Sequence, residues 1–152
     1  AVTDKPEAHD YLRQRGAARL LQRDEVRDSS DRALLKAQWS SAIDTVGGQT
    51  LVTLVRATMH RGCVAACGLV GGTSLPLTVY PFILRGVSLV GIDSAKCPMT
   101  ERLEIWGKLA GPWRVDDLAG LTRSVTLGEL DQTVADILAG RITGRVLVRP
   151  VS

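Results

Sequence analysis

The sequence predicts an α/β protein built on a parallel sheet, and three observations carry the prediction. Short apolar runs at Ala42–Val46, Cys63–Cys67 and Val87–Ile92 alternate with stretches of helical periodicity. The 152 residues hold 15 Gly but only three Trp, two Tyr and one Phe, so the core must come from small aliphatic side chains. Strand and helix succeed one another at the spacing of a right-handed βαβ succession.

Taken in order, Pro6 suits the first turn of a helix, with Thr3 or Asp4 as candidate caps and Glu7 at its positive end. Tyr11 and Leu12 give that helix an apolar stripe and Gly16 stops it. Arg19–Gln22 reads as a short strand, and 24–36 as a polar loop with a helical turn. Ala42–Val46 is a strand closed by Gly47-Gly48. Leu51, Leu54, Val55 and Thr58 recur at helical spacing and predict an amphipathic helix over 49–59. Cys63–Cys67, apolar throughout, reads as a strand covered on both faces, and Val87–Ile92 as the next strand. Met99, Leu103, Ile105, Trp106 and Leu109 predict a helix over 99–110. Thr126 and Glu129 form a capping-box pattern opening a helix that runs to Ala139-Gly140, and Arg145–Arg149 is a terminal strand.

Composition narrows the function. The net charge is +3, and the arginines of the first third, Arg13 to Arg32, interleave with Asp10, Asp24, Glu25, Asp28 and Asp31. A nucleic-acid surface needs clustered cations with stacking aromatics, and this region has only Tyr11, so a solvated helix face is the better reading. No run approaches the roughly 18–20 apolar residues of a membrane span. The N-terminal Ala-Val-Thr-Asp-Lys-Pro lacks the form of a signal peptide, and with three cysteines the expected compartment is the reducing cytoplasm.

Parallel sheets bind ligands at the carboxyl ends of their strands. Thr3-Asp4-Lys5 stands after an apparent strand end at Ala1-Val2, the position that meets the adenine ribose in dinucleotide-binding folds. An acid there takes the ribose 2′-hydroxyl and a cation accommodates a 2′-phosphate; here Asp4 and Lys5 stand together. Lys5 with Arg19 favours NADPH over NADH; the plain alternative is a helix cap at Asp4 and a solvated Lys5. Asp44-Thr-Val-Gly-Gly48 and Gly68-Leu-Val-Gly-Gly72 end two further strands, where glycines serve either a close ligand or a tight turn. Asp93-Ser94 either faces the same cleft or has a capping role. Cys63 and Cys67 read as buried thiols, His9 and His60 are isolated, and no Cys/His ligand set predicts a zinc site.

Together Tyr11-Leu12, Gly16-Ala17, Trp39, Ala42–Gly47, Gly62–Leu69, Pro76, Pro81–Arg85, Gly91–Ser94, Cys97–Met99 and Gly144–Val148 are specific. The chain resembles, along nearly its whole length, the zinc-free medium-chain dehydrogenase/reductases, in the branch of acrylyl-CoA reductase and its quinone oxidoreductase relatives. The resemblance implies part of a doubly wound, Rossmann-type NADP-binding domain over residues 1–115. It also implies a C-terminal segment, 116–152, returning to a GroES-like catalytic domain. It implies hydride transfer from NADPH to an activated C=C bond, as in an enoyl thioester, or to a quinone. Thr3, Lys5 and Arg19, with Asp4 beside them, would serve the 2′-phosphate side, Leu69 and Ile83 would lie along the cofactor, and Arg145 would close the site.

Two positions depart from the family pattern: Asp4 replaces a glycine, and Arg61-Gly62 replaces Gly-Gly. The family's catalytic domain, first strand and Gly-rich phosphate turn have no counterpart in this sequence. A fragment lacking them would have no helix N-terminus for the pyrophosphate and would expose a sheet face and edge. The expected partners are therefore the N-terminal part of the same enzyme, an enoyl or quinone substrate, and a second copy paired through the Val87–Ile92 edge. The rival reading is a non-catalytic α/β module binding a nucleotide or a protein.

Overall fold

The computed structural model describes residues 1–115 and 119–150. The chain packs as two compact units, Ala1–Cys97 and Pro98–Ser152.

In the first unit a 3-10 turn, Pro6–Ala8, leads into α1 (His9–Gln14). No side chain caps this turn; instead the Thr3 hydroxyl accepts from the Lys5 amide at 3.1 Å. The strand expected at Arg19–Gln22 shrinks to one parallel bridge between Val2 and Leu21, held by the Leu21 amide on the Ala1 carbonyl and the Thr3 amide on the Leu21 carbonyl. A second 3-10 turn, Arg23–Val26, comes next, with Gln22 and Glu25 forming its capping box. Then come β1 (Trp39–Asp44), α2 (Gly48–Arg56), β2 (Thr58–Ala66), α3 (Tyr80–Arg85) and β3 (Ser88–Gly91). The strands form a parallel sheet in the order β1-β2-β3, as the alternation predicts.

The amphipathic α2 supplies most of the core: Leu51, Leu54 and Val55 pack on Val64 and Val87, with Trp39, Phe82 and Leu89 around them. Trp39 also donates its indole N–H to the Leu54 carbonyl at 2.9 Å. The outer face of α2 holds the loop before β1 in place. Thr53 accepts from the Asp28 amide, Gln49 donates to the Asp28 carbonyl, and buried Arg56 pairs with the Asp28 carboxylate at 3.2 Å. The Ser30 hydroxyl, donating to Asp28 at 2.6 Å, and the Arg56 cation hold that carboxyl below its ordinary range. Arg85 fastens the other end of the loop, donating to the carbonyls of Arg56, Thr58 and Leu35.

The opposite sheet face is open within the described residues. Register places Ile43, Ala65 and Val90 side by side across the three strands, with Ile43 78% exposed. Only Val64 of the apolar run in β2 is fully buried, so double cover does not hold for these residues. This explains the state of the cysteines. Cys63 lies on the open face between Ser41 and Ser88 and is half-buried, and Cys67 is exposed beyond the strand end; neither is a buried core thiol.

The second unit holds α4 (Met99–Ala110), β4 (Thr122–Thr126), α5 (Leu130–Leu138) and β5 (Arg145–Arg149). Strands β4 and β5 pair in parallel around the α5 crossover, with Val125 of β4 and Thr133 of α5 buried. The Thr126–Glu129 capping box opens the turn into α5 as the sequence predicts. The sequence-based boundary at 115/116 lies next to the undescribed residues 116–118, whereas the packing boundary falls before α4. No described helix is long and apolar enough to cross a membrane.

Candidate functional site

The carboxyl ends of the parallel elements in the first unit line a row of three concavities. The loop after β1 is organised by Asp44, which is buried, with its carboxylate accepting from the Val46 amide at 3.3 Å and the Gly47 amide at 2.8 Å. The loop after β2 runs against it: the Cys67 amide donates to the Asp44 carbonyl and the Gly71 amide to the Val46 carbonyl. Gly47 and Gly48 have positive φ, 76° and 55°, and a Cβ on Gly47 would stand 2.7 Å from the Gly72 carbonyl oxygen. The paired glycines thus serve loop-to-loop contact, which sequence alone could not separate from ligand approach.

On one side of this pair of loops lies a cavity of about 530 Å³, between the Val2–Leu21 bridge and the free edge of β1 with Thr45 and Val46 of the loop after it. Next to it is one of about 250 Å³ lined by Arg23, Arg27, Gly47, Gln49, Thr50 and Gly71. On the other side, Cys67, Gly68, Leu69, Gly91, Ile92 and Asp93 line a third of about 500 Å³. Arg23, Val46 and Thr50 line both of the first two, so those are continuous.

The sequence-predicted residues distribute along this row. Thr3, Asp4 and Lys5 come directly after Val2 at one end, where the Val2–Leu21 bridge brings them beside the turn that begins at Arg23. Asp4 does not cap the Pro6–Ala8 turn that follows it; its carboxylate accepts from the Arg23 amide at 2.8 Å and pairs with the Arg23 Nε at 3.4 Å. Arg19 is exposed and in a loose pair with Glu25 at 3.6 Å, one that an incoming anion can displace. Leu69 lines the third concavity and is 64% exposed. Asp93 lines it too, while its carboxylate accepts from the Lys96 amide at 3.1 Å, so lining and capping coexist. Ile83 stands exposed on α3 and lines none of these three concavities. Arg145 opens β5 in the second unit. Arg23, which no sequence motif singles out, lines two of the concavities and grips Asp4.

Among the described residues no three His, Cys, Asp or Glu side chains gather closely enough to hold a metal ion. For a dinucleotide the residues fit in part. Arg19 stands exposed near one end of the row and Leu69 offers an exposed apolar surface at the other, with cavities between. The described residues contain no Gly-rich pyrophosphate turn.

Parallel strands, helices packed on one face of the sheet and a cleft along the carboxyl ends define part of an open α/β binding domain. Comparison with known proteins is specific. A family profile described as zinc-binding dehydrogenase matches residues 1–105, and the chain belongs to this family, within the medium-chain dehydrogenase/reductase superfamily. YhfP of Bacillus subtilis, provisionally named a quinone oxidoreductase, is 46% identical over 98% of the chain and 46% of its own length. The acrylyl-CoA reductase AcuI of Ruegeria pomeroyi is 43% identical over 97% of the chain and 45% of its length. The crystal structure of YhfP with NAD bound superposes at a TM-score of 0.92, covering 99% of this chain and 46% of that one. That of the YhdH oxidoreductase from Salmonella enterica with NADP superposes at 0.91, with 40% identity and the same coverage. The chain therefore spans a little under half the length of these relatives.

Proposed function

We propose that this chain is the cofactor-binding half of a zinc-independent, NADPH-dependent reductase acting on an activated C=C bond, such as that of an enoyl thioester, or on a quinone. The observation that carries the reading is the cleft at the carboxyl ends of the parallel strands, in a chain over 40% identical to an acrylyl-CoA reductase.

When bound, the reduced nicotinamide supplies the hydride. The residues of this chain bind and shield it. Lys5 and Arg19 offer positive charge to a 2′-phosphate, and Thr3 fixes the Lys5 backbone through its hydroxyl. Leu69 supplies an apolar wall that keeps water from the transferring carbon. The loops at Asp44–Gly48 and Gly68–Gly72 brace that wall through their mutual hydrogen bond and close glycine contact. On this reading Ile83, on α3, and Arg145, on β5, also serve the cofactor.

The cavity between Val2 and β1 has unpaired strand edges on either side and is the seat of a further strand. We assign that strand, the pyrophosphate turn and the proton donor to an N-terminal part, in keeping with relatives about twice as long. Residues 1–115 then serve the cofactor domain and 116–152 a GroES-like catalytic domain, and the free edge of β3 pairs two copies as a homodimer. The free thiols of Cys63 and Cys67 suit a reducing, cytoplasmic compartment.

Titration of NADPH and NADH by protein fluorescence, on this chain and on the protein extended toward its N-terminus, tests the reading. Tight NADPH-selective binding by the extended form alone supports it. Absence of binding by either form removes it and leaves the non-catalytic module.

A further inference from the structure

The Val2–Leu21 bridge sets two chain segments in parallel, so the residue two past one end, Asp4, meets the residue two past the other, Arg23. One carboxylate oxygen of Asp4 accepts from the Arg23 amide at 2.8 Å, and the other faces the Arg23 Nε at 3.4 Å. Both lobes of the carboxylate are thereby committed to Arg23. This matters because an acid at this position in a dinucleotide-binding fold selects the ribose 2′-hydroxyl and repels a 2′-phosphate. Taken as an isolated residue, Asp4 argues for NADH, against Lys5 and Arg19.

We propose that Arg23 is a specificity-determining positioning residue that silences Asp4. By engaging both carboxylate oxygens with its backbone amide and guanidinium, it offsets the charge and competes with a ribose diol for the same acceptors. The field at the ribose end is then set by Lys5 and Arg19. The inference rests on the dinucleotide reading above and deepens it: the choice between the two cofactors is made by a pair of residues 19 apart in sequence, not by the Thr3–Lys5 segment alone. Specificity here comes from removing a repulsive element as much as from adding an attractive one.

The test uses the full-length protein, with dissociation constants for NADPH and NADH read from fluorescence quenching. Variants are Arg23→Gln, Asp4→Gly and the double variant. In Arg23→Gln the NADPH-to-NADH preference should fall about tenfold, the effect of one uncancelled unit charge within several ångströms of a phosphate. The Asp4→Gly change made on top of it should restore most of the preference, because the acid that Arg23 restrained is gone. A preference that stays low in the double variant overturns the proposal and makes Arg23 a direct phosphate ligand. A preference unmoved in Arg23→Gln overturns it as well. If the unaltered protein binds both dinucleotides without favouring NADPH, the inference alone falls; if it binds neither, the dinucleotide reading falls with it, and both outcomes are recognisable before any variant is made.

Discussion

Gly48 and Gly71 approach so closely that a Cβ on Gly48 would lie 2.5 Å from the Gly71 carbonyl oxygen. The φ of Gly48 is +55°, a conformation in which a side chain is strained even in open space. The contact is backbone on backbone, so no flexible side chain can yield. Gly48→Ala should therefore destabilise the first unit by about 2–4 kcal/mol, combining a left-handed alanine with a clash that parts the two loops. A thermal or urea midpoint measures this. A variant as stable as the parent would show that the loops separate freely and do not brace the cleft.

Arg85 reaches three backbone carbonyls, those of Arg56, Thr58 and Leu35, at 3.0, 3.1 and 2.6 Å. Its planar fork fastens the end of α2, the start of β2 and the loop before β1 at one point. Lysine keeps the charge but not the fork, so Arg85→Lys should cost about 1–3 kcal/mol and raise amide exchange around Leu35. Unchanged exchange there would mean the loop is held by the Asp28–Arg56 side alone.

Acid should loosen the second unit first at the entry to α5. The Glu129 carboxylate accepts from the Thr126 amide and hydroxyl, both at 2.8 Å, and these bonds lower its pKa from the ordinary value of 4.5. A carboxyl lowered on folding stabilises the folded state fully above its unfolded pKa, and loses that contribution as pH falls through the folded one. The protection of the Thr126 amide should accordingly decline below about pH 4.5 in the parent and lose this pH dependence in Glu129→Gln, whose side-chain oxygen still accepts from Thr126 but does not titrate. A profile in the parent that is flat through this range would assign the turn's stability elsewhere.

How much of this is legible in the sequence depends on which signals are local. The α2 periodicity and the terminal strand Arg145–Arg149 are carried by contiguous residues and read correctly. The spacing extends the helix through Thr58 because that side chain still bonds back to the Leu54 carbonyl in helical fashion. Its backbone has already joined the sheet opposite Trp39. The six-residue α3 is too short for periodicity, though Pro81 in its first turn and left-handed Gly86 at its end mark it. Strand β4, Thr-Arg-Ser-Val-Thr, has one apolar residue, Val125, and so no alternation to read. In the site, the strand-end positions are visible as sequence punctuation. Arg23 is not, because its role depends on a pairing that only the Val2–Leu21 bridge creates.

Ile43 offers the most direct check on whether a longer protein completes this sheet. It is 78% exposed, in register with Ala65 and Val90, on the face turned away from α2. An apolar row of this kind on a parallel strand implies a covering layer, since parallel sheets are stable with both faces packed. In the full-length protein Ile43→Asp should then cost about 3 kcal/mol or more, because it places an unpaired carboxylate in an apolar contact. In this chain alone the same change should move stability by no more than about 0.5 kcal/mol, the usual range for a solvated position. Denaturant midpoints of the two forms give the comparison. A large loss in the long form only would place a covering layer over Ile43, whereas equal small effects in both would leave this face bare.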